Sequence, residues 1–170
     1  MSETLLDRAK ANYKMAEKNF NFILEDDVYL NLVGYLLQQS LELALKHILE
    51  TNGIKYPKTH SIRDLVEMLP DNYDTSDIIS MSDTITTWES KTRYIKNFRL
   101  SKTQLEEGFK VIGKFIDTIG NNKSSINELL SQYLEESEIE DFLESIPSNI
   151  DVTNDNVEFL TSMYKQIKRK

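Results

Sequence analysis

Between residues 28 and 51, Val33, Leu36, Leu37, Leu41, Ala44, Leu45, Ile48 and Leu49 return at three- and four-residue steps with no proline among them. That spacing places them on one broad face of an α-helix. A helix this long and this apolar needs other elements packed around it, because most helical stability comes from burying such a face. Asn52-Gly53 predicts its end, since glycine takes the left-handed conformation that follows a helix without steric cost. Gly34, Ser40 and Ala44 are small and suit close approach of a neighbouring helix.

The rest of the chain supplies candidate partners of the same kind. It carries only five glycines and three prolines, too few for many short strands and tight turns. Leu5, Leu6, Ala9, Tyr13, Ala16, Phe20, Ile23 and Leu24 predict a helix over residues 3 to 24, capped by Ser2. Glu25-Asp26-Asp27 interrupts the pattern. Asp26 or Asp27 is read as a cap for the next helix, because an oxygen cage for a cation needs more ligands at set spacing. Residues 54 to 60 are a loop with Pro57, and Ser61-Ile-Arg-Asp64 matches a capping box opening a short helix to Leu69, stopped by Pro70.

Ile78, Ile79, Met81, Ile85, Trp88 and Tyr94 predict a helix over residues 76 to 94, weakened by Thr84, Thr86 and Thr87. Ser101-Lys-Thr-Gln104 is a second capping box, opening a helix through Leu105, Phe109, Ile112, Phe115, Ile116 and Ile119 that Gly120 closes. Asn121 to Ser125 reads as a linker. Beyond it, Ser125-Ile-Asn-Glu128 caps an acidic helix to Ile146, Pro147 breaks it, and Asp155 to Lys170 forms the last helix. Lys165, Lys168, Arg169 and Lys170 complement that helix's C-terminus. The expectation is an all-α protein: an up-and-down four- or five-helix bundle over residues 1–120, then an acidic two-helix C-terminal extension over residues 121–170.

Composition narrows function by exclusion. Cysteine is absent, which removes disulfides, thiolate metal sites and Cys nucleophiles and fits a reducing cytoplasm. No apolar segment resembles a signal peptide or reaches membrane-spanning length. The formal net charge of −8 opposes non-specific adhesion to duplex DNA or anionic lipid. A cytoplasmic protein with neither membrane nor duplex DNA as partner is expected.

Against that acidic background stands SKTRYIKNFRLSK, residues 90 to 102, with Lys91, Arg93, Lys96, Arg99 and Lys102, the aromatics Tyr94 and Phe98, and no acid. A helix C-terminus favours cations, which accounts for Lys91, Arg93 and Lys96 but leaves Arg99 and Lys102 unexplained. The stretch is a candidate for binding nucleotide, RNA phosphate or an acidic partner, with Tyr94 and Phe98 as packing anchors or stacking platforms.

Three patterns belong together: Gln39-x-x-Glu42-x-x-x-Lys46 on the second helix, Lys58-Thr59-His60 before the third, and Arg93-Tyr94 ending the fourth. In order and spacing they resemble the HEPN superfamily of higher eukaryote and prokaryote nucleotide-binding proteins, over residues 5 to 119. The resemblance implies a helical bundle, often dimeric, and a partner of the minimal nucleotidyltransferase class, as in toxin–antitoxin pairs. Some members are RNases that use an Arg followed four to six residues later by His. This chain departs from that motif: its histidines are His47 and His60, and the nearest preceding Arg is Arg8. An imidazole acid–base beside a phosphate-holding Arg is therefore not available from local spacing, and no catalytic residue is expected.

The expected ligand or phosphate site is His60, Arg93, Tyr94, Lys96, Arg99 and Lys102, beside the polar helix-2 motif Gln39, Glu42 and Lys46. His60 is either a packing residue that fixes the loop or the orienting member of a pocket in which Arg93 grips phosphate. No cofactor is expected. No metal is expected either, since two histidines make no site without carboxylates of known geometry. The resulting function is a nucleotide- or RNA-phosphate-binding accessory protein, homodimeric, acting with a nucleotidyltransferase. The alternatives are a non-catalytic helical interaction module and, third, a divergent metal-independent RNase.

Overall fold

The second helix is the centre of the first unit. In the computed structural model, which describes residues 3–24, 28–147, 150, 152 and 156–169, α2 runs Val28–Thr51 and buries Val33, Leu37, Leu41, Ala44, Leu45, Ile48 and Leu49. Its end is built as expected. Gly53 adopts φ 66°, the Gly53 N–H reaches the Glu50 carbonyl at 3.0 Å, and the Ile54 N–H reaches Leu49 at 2.8 Å. Those two bonds satisfy carbonyls that the helix leaves open.

α1 is Leu5–Phe20, followed by a single 3-10 turn, Asn21–Leu24. The expected helix over 3 to 24 is thus shorter and changes type before it ends. Its cap is Thr4, whose hydroxyl accepts the Asp7 N–H at 3.1 Å while the Asp7 carboxylate accepts the Thr4 N–H at 2.9 Å. The Ser2 cap and the Asp26 or Asp27 cap lie outside the described residues. Small residues let α1 and α2 meet: Ala9 and Ala16 are buried, and the Ser40 hydroxyl donates to the Ala9 carbonyl at 2.7 Å.

α3 is a short helix, Ile62–Val66, opened by the Ser61 hydroxyl on the Asp64 N–H at 3.2 Å. α4 is Ser76–Tyr94, and α3 is tied to it twice. The Ile62 N–H donates to the Thr86 hydroxyl at 3.0 Å, and Arg63 forks onto Asp83 at 2.8 and 2.9 Å. Threonines in α4 weaken helix propensity, yet here Thr86 supplies the acceptor that anchors the neighbouring helix.

α5 corrects the sequence reading. It begins at Lys102 after the expected Ser101–Gln104 box, with bonds of 3.0 and 3.2 Å, but it runs without a break to Leu130. Gly120 does not close it, residues 121 to 125 are helix rather than linker, and no new helix begins at Ser125. A glycine costs a helix interior only about 1 kcal/mol relative to alanine, so it stops a helix only where the chain also turns away. Here the apolar rhythm continues through Ile126, Leu129 and Leu130 into a core. The acidic helix expected from 125 to 146 is consequently α6, Glu136–Ser145, entered through a Glu135–Glu138 capping box. α7 is Val157–Lys168, so the expected bounds at Asp155 and Lys170 fall on residues outside the description.

All described elements are helical, with no strand among the described residues, so the protein is an all-α bundle. The chain forms two compact units, Met1–Ile116 and Asp117–Lys170. In the first, Ile62 and Leu65 of α3, Ile85 and Trp88 of α4, and Leu105 and Ile112 of α5 join the α2 face in one core. In the second, Leu130, Leu134, Ile139, Phe142, Val157 and Tyr164 form a smaller core, with the Phe142 and Tyr164 rings edge to face at 5.3 Å. Lys165 and Lys168 do more than complement a helix end: Lys165 donates to the Tyr133 carbonyl and Lys168 pairs with Asp141. No described helix is long and apolar enough to cross a membrane.

Candidate functional site

Glu42 is the most buried charge described in the first unit, at 4% exposure. An unpaired carboxylate there would be costly, and the surroundings supply donors. Lys46, one helical turn on, reaches Oε1 at 2.8 Å, and Gln38, one turn back, donates to Oε2 at 2.8 Å. His60 completes the set, with Nδ1 at 3.1 Å from Oε2 and 3.2 Å from Oε1. Burial pushes the Glu42 carboxyl up, but the hydrogen bonds from Lys46, Gln38 and His60 outweigh it and hold the group below the usual carboxylate range.

The imidazole is held in place by what flanks it. The Thr59 hydroxyl accepts the Ser61 N–H at 3.0 Å, and the bonds from Ile62 and Arg63 lock α3 onto α4. His60 therefore lies where a second carboxylate arrives from α4. Its Nδ1 is 3.6 Å from Glu89 Oε2, while Glu89 Oε1 takes Arg93 Nη1 at 2.8 Å. The His60 side chain remains 68% exposed, against 5% for Glu42 and 15% for Glu89. The result is a solvent-facing imidazole over two carboxylates, each of which has one oxygen engaged by a cation.

Arg93 sits at the edge of this cluster. Its guanidinium lies 5.5 Å from the Tyr35 ring centre and 5.6 Å from that of Tyr94. The hydrogen bond to Glu89 raises its pKa further above its already high value. Tyr94 is 78% exposed. Arg93 offers five N–H donors, and the bond to Glu89 uses one of them.

The remaining cations of the basic stretch sit elsewhere in the connection from α4 to α5. Asn97 takes φ 66°, a left-handed conformation that Asn tolerates better than most residues. Asn31 of α2 pins the turn, donating to the Phe98 carbonyl at 2.7 Å and accepting the Leu100 N–H at 3.2 Å. Leu100 is then pressed over Gly34. Arg99 donates to the Phe98 carbonyl at 2.9 Å. Lys102 lies 3.8 Å from Glu106 and over the Phe20 ring, and Lys96 is exposed.

Of the residues singled out in the sequence, the structure brings together Glu42, Lys46, His60 and Arg93, with Tyr94 beside Arg93. Lys96, Arg99 and Lys102 belong to the neighbouring turn. Gln39 donates to Gln38 at 2.8 Å, and it is Gln38 that meets Glu42. Sequence reasoning missed Gln38 and Glu89. Both carried a signal, since Gln38 precedes Glu42, and Glu89 precedes Arg93, by the four residues that make side chains neighbours on a helix.

Chemically, the cluster can orient an imidazole between two acids and present an Arg beside an aromatic ring. Glu42, His60 and Glu89 each place one metal-ligating atom within 4.8 Å of the others. Residues 2–124 match the HEPN domain family. No curated protein and no solved structure matches the chain significantly. A match over most of the chain, on the bundle that holds these groups, makes the protein a member of the HEPN domain family.

Proposed function

We propose that this chain is a non-catalytic HEPN protein that binds nucleotide or RNA phosphate and works with a minimal nucleotidyltransferase, in a pairing of the toxin–antitoxin type. The carrying observation is Arg93, which keeps donors in excess of its single bond to Glu89 and stands beside the exposed Tyr94 ring. A phosphate would take the guanidinium's free edge, and a base would stack on Tyr94. Lys96, Arg99 and Lys102 add positive charge along the same acid-free stretch. In this reading residues 1–120 are the binding bundle, residues 121–170 an acidic extension, and the working form a cytoplasmic homodimer.

Melting of the protein with ATP, cyclic nucleotides and short single-stranded RNA tests the proposal, because a ligand selective for the folded state raises the transition. Tyr94→Ala is expected to weaken RNA binding by about 1–3 kcal/mol, and Arg93→Ala to weaken every phosphate ligand. Binding unchanged in Arg93→Ala removes the site. Metal-independent RNA cleavage lost in His60→Ala replaces the reading with a nuclease. Co-purification with the product of a neighbouring nucleotidyltransferase gene tests the partner.

A second reading, a helical interaction module, rests on α7. Phe159, Met163 and Ile167 recur every four residues and are 66%, 46% and 70% exposed, an apolar stripe on the helix. A tight protein complex weakened by Phe159→Glu, with no response to any nucleotide, favours it.

A further inference from the structure

We propose that Glu42, His60 and Glu89 form a binding site for a zinc-class divalent cation, with open coordination positions toward solvent. Zinc holds imidazole nitrogen and carboxylate oxygen at about 2.0–2.2 Å, so neighbouring ligand atoms lie roughly 3.4 Å apart around a tetrahedral ion. His60 Nδ1 stands 3.1 Å from Glu42 Oε2 and 3.6 Å from Glu89 Oε2, on either side of that value. Both distances from the imidazole are thus within a few tenths of an ångström of that value, and all three ligand atoms lie within 4.8 Å of one another. They come from α2, the loop before α3, and α4, elements already tied by the Ile62–Thr86 and Arg63–Asp83 bonds.

The carboxylates are also held from outside. Lys46 takes Glu42 Oε1 and Arg93 takes Glu89 Oε1, while the imidazole Nδ1 stands 3.1 Å from Glu42 Oε2, 3.2 Å from Glu42 Oε1 and 3.6 Å from Glu89 Oε2. Gln38 donates to Glu42 Oε2 at 2.8 Å. Outer groups that orient ligating carboxylates in this way are the usual support of a metal site. The exposed face of His60 leaves room for water or a further ligand in the remaining positions, as in sites that keep a coordination position open. An imidazole among the ligands selects zinc-like ions over magnesium or calcium, which prefer oxygen alone. Lys46 and Arg93 neutralise the two carboxylates, so affinity falls below that of closed structural zinc sites.

The same geometry also suits a simpler arrangement, an Nδ1–H shared between the two carboxylates with no ion. The two are separated with metal alone, independently of any nucleotide. Chelator-treated full-length protein is titrated calorimetrically with Zn²⁺ and, in parallel, Mg²⁺, and is loaded with Co²⁺ for its visible spectrum. The expected result is one Zn²⁺ per chain, no comparable Mg²⁺ binding, and a Co²⁺ ligand-field spectrum that disappears in His60→Ala. Zn²⁺ affinity falls at least about tenfold in His60→Ala and in Glu89→Gln. His60→Ala removes a largely exposed side chain, and far-UV circular dichroism verifies the fold of both variants; should Glu89→Gln fail to fold, His60→Ala decides alone. Absence of stoichiometric Zn²⁺ binding overturns the proposal, as does binding retained in His60→Ala or Mg²⁺ bound as tightly as Zn²⁺.

Discussion

Replacing Glu42 by Gln changes one buried charge and almost no volume, so it measures what the polar cluster contributes to the fold. In the native protein three donors converge on the carboxylate: Lys46 and Gln38 at 2.8 Å, and His60 at 3.1 Å. Hydrogen bonds to a charged group contribute about 1.5–3 kcal/mol each, and breaking a fully buried ion pair costs about 3–5 kcal/mol. Two features reduce that cost here. Gln retains one acceptor oxygen, and Lys46, 16% exposed and near the Tyr56 ring, can redirect its ammonium toward water. The expected loss is about 2–3 kcal/mol, which lowers the melting temperature by about 6–9 °C. Urea unfolding followed by circular dichroism reads it directly.

The pH dependence supplies an independent check. Glu42 has a folded-state pKa below its ordinary value. Its contribution is therefore present above the unfolded value and is lost as pH falls through the folded one. The gap between wild type and Glu42→Gln should be full near neutrality and should close below about pH 4.3. A loss under about 0.5 kcal/mol, the size of an ordinary surface substitution, refutes the reasoning, as does a gap that does not narrow in acid.

Two further perturbations probe the scaffold. Gly34→Ala places a Cβ 2.0 Å from Leu100 Cδ1, so the pinned turn must shift; a loss of about 1–3 kcal/mol is expected, relieved when Leu100 is shortened to Val. Gly120→Pro tests the continuity of α5. Inside a helix it costs about 3 kcal/mol or more and reduces ellipticity, whereas a linker would accept it unchanged.

What could be read locally from the residues was read well where a signal and its partner lie within one turn. The Ser101–Gln104 box and the Gly53 ending are of this kind, since each is closed by atoms a few residues apart. Gly120 failed because a glycine has two uses in a helix, and the choice depends on whether Leu129 and Leu130 find a core beyond it. The grouping of the candidate site residues depends on the same kind of distant information. Glu42 and Lys46 announce a pair by spacing, but nothing near Glu89 in the chain tells that it will stand across from Glu42.

The sequence by itself determined that this chain is helical, where most helices begin, and which face of α2 is buried, because periodicity and capping act over a single turn. Only the tertiary structure decided that His60 lies between Glu42 and Glu89 while Arg99 and Lys102 are engaged elsewhere. That choice depends on how α3 and α4 are rotated against α2, and the rotation is set by side-chain contacts between residues distant in the chain, which no local pattern records.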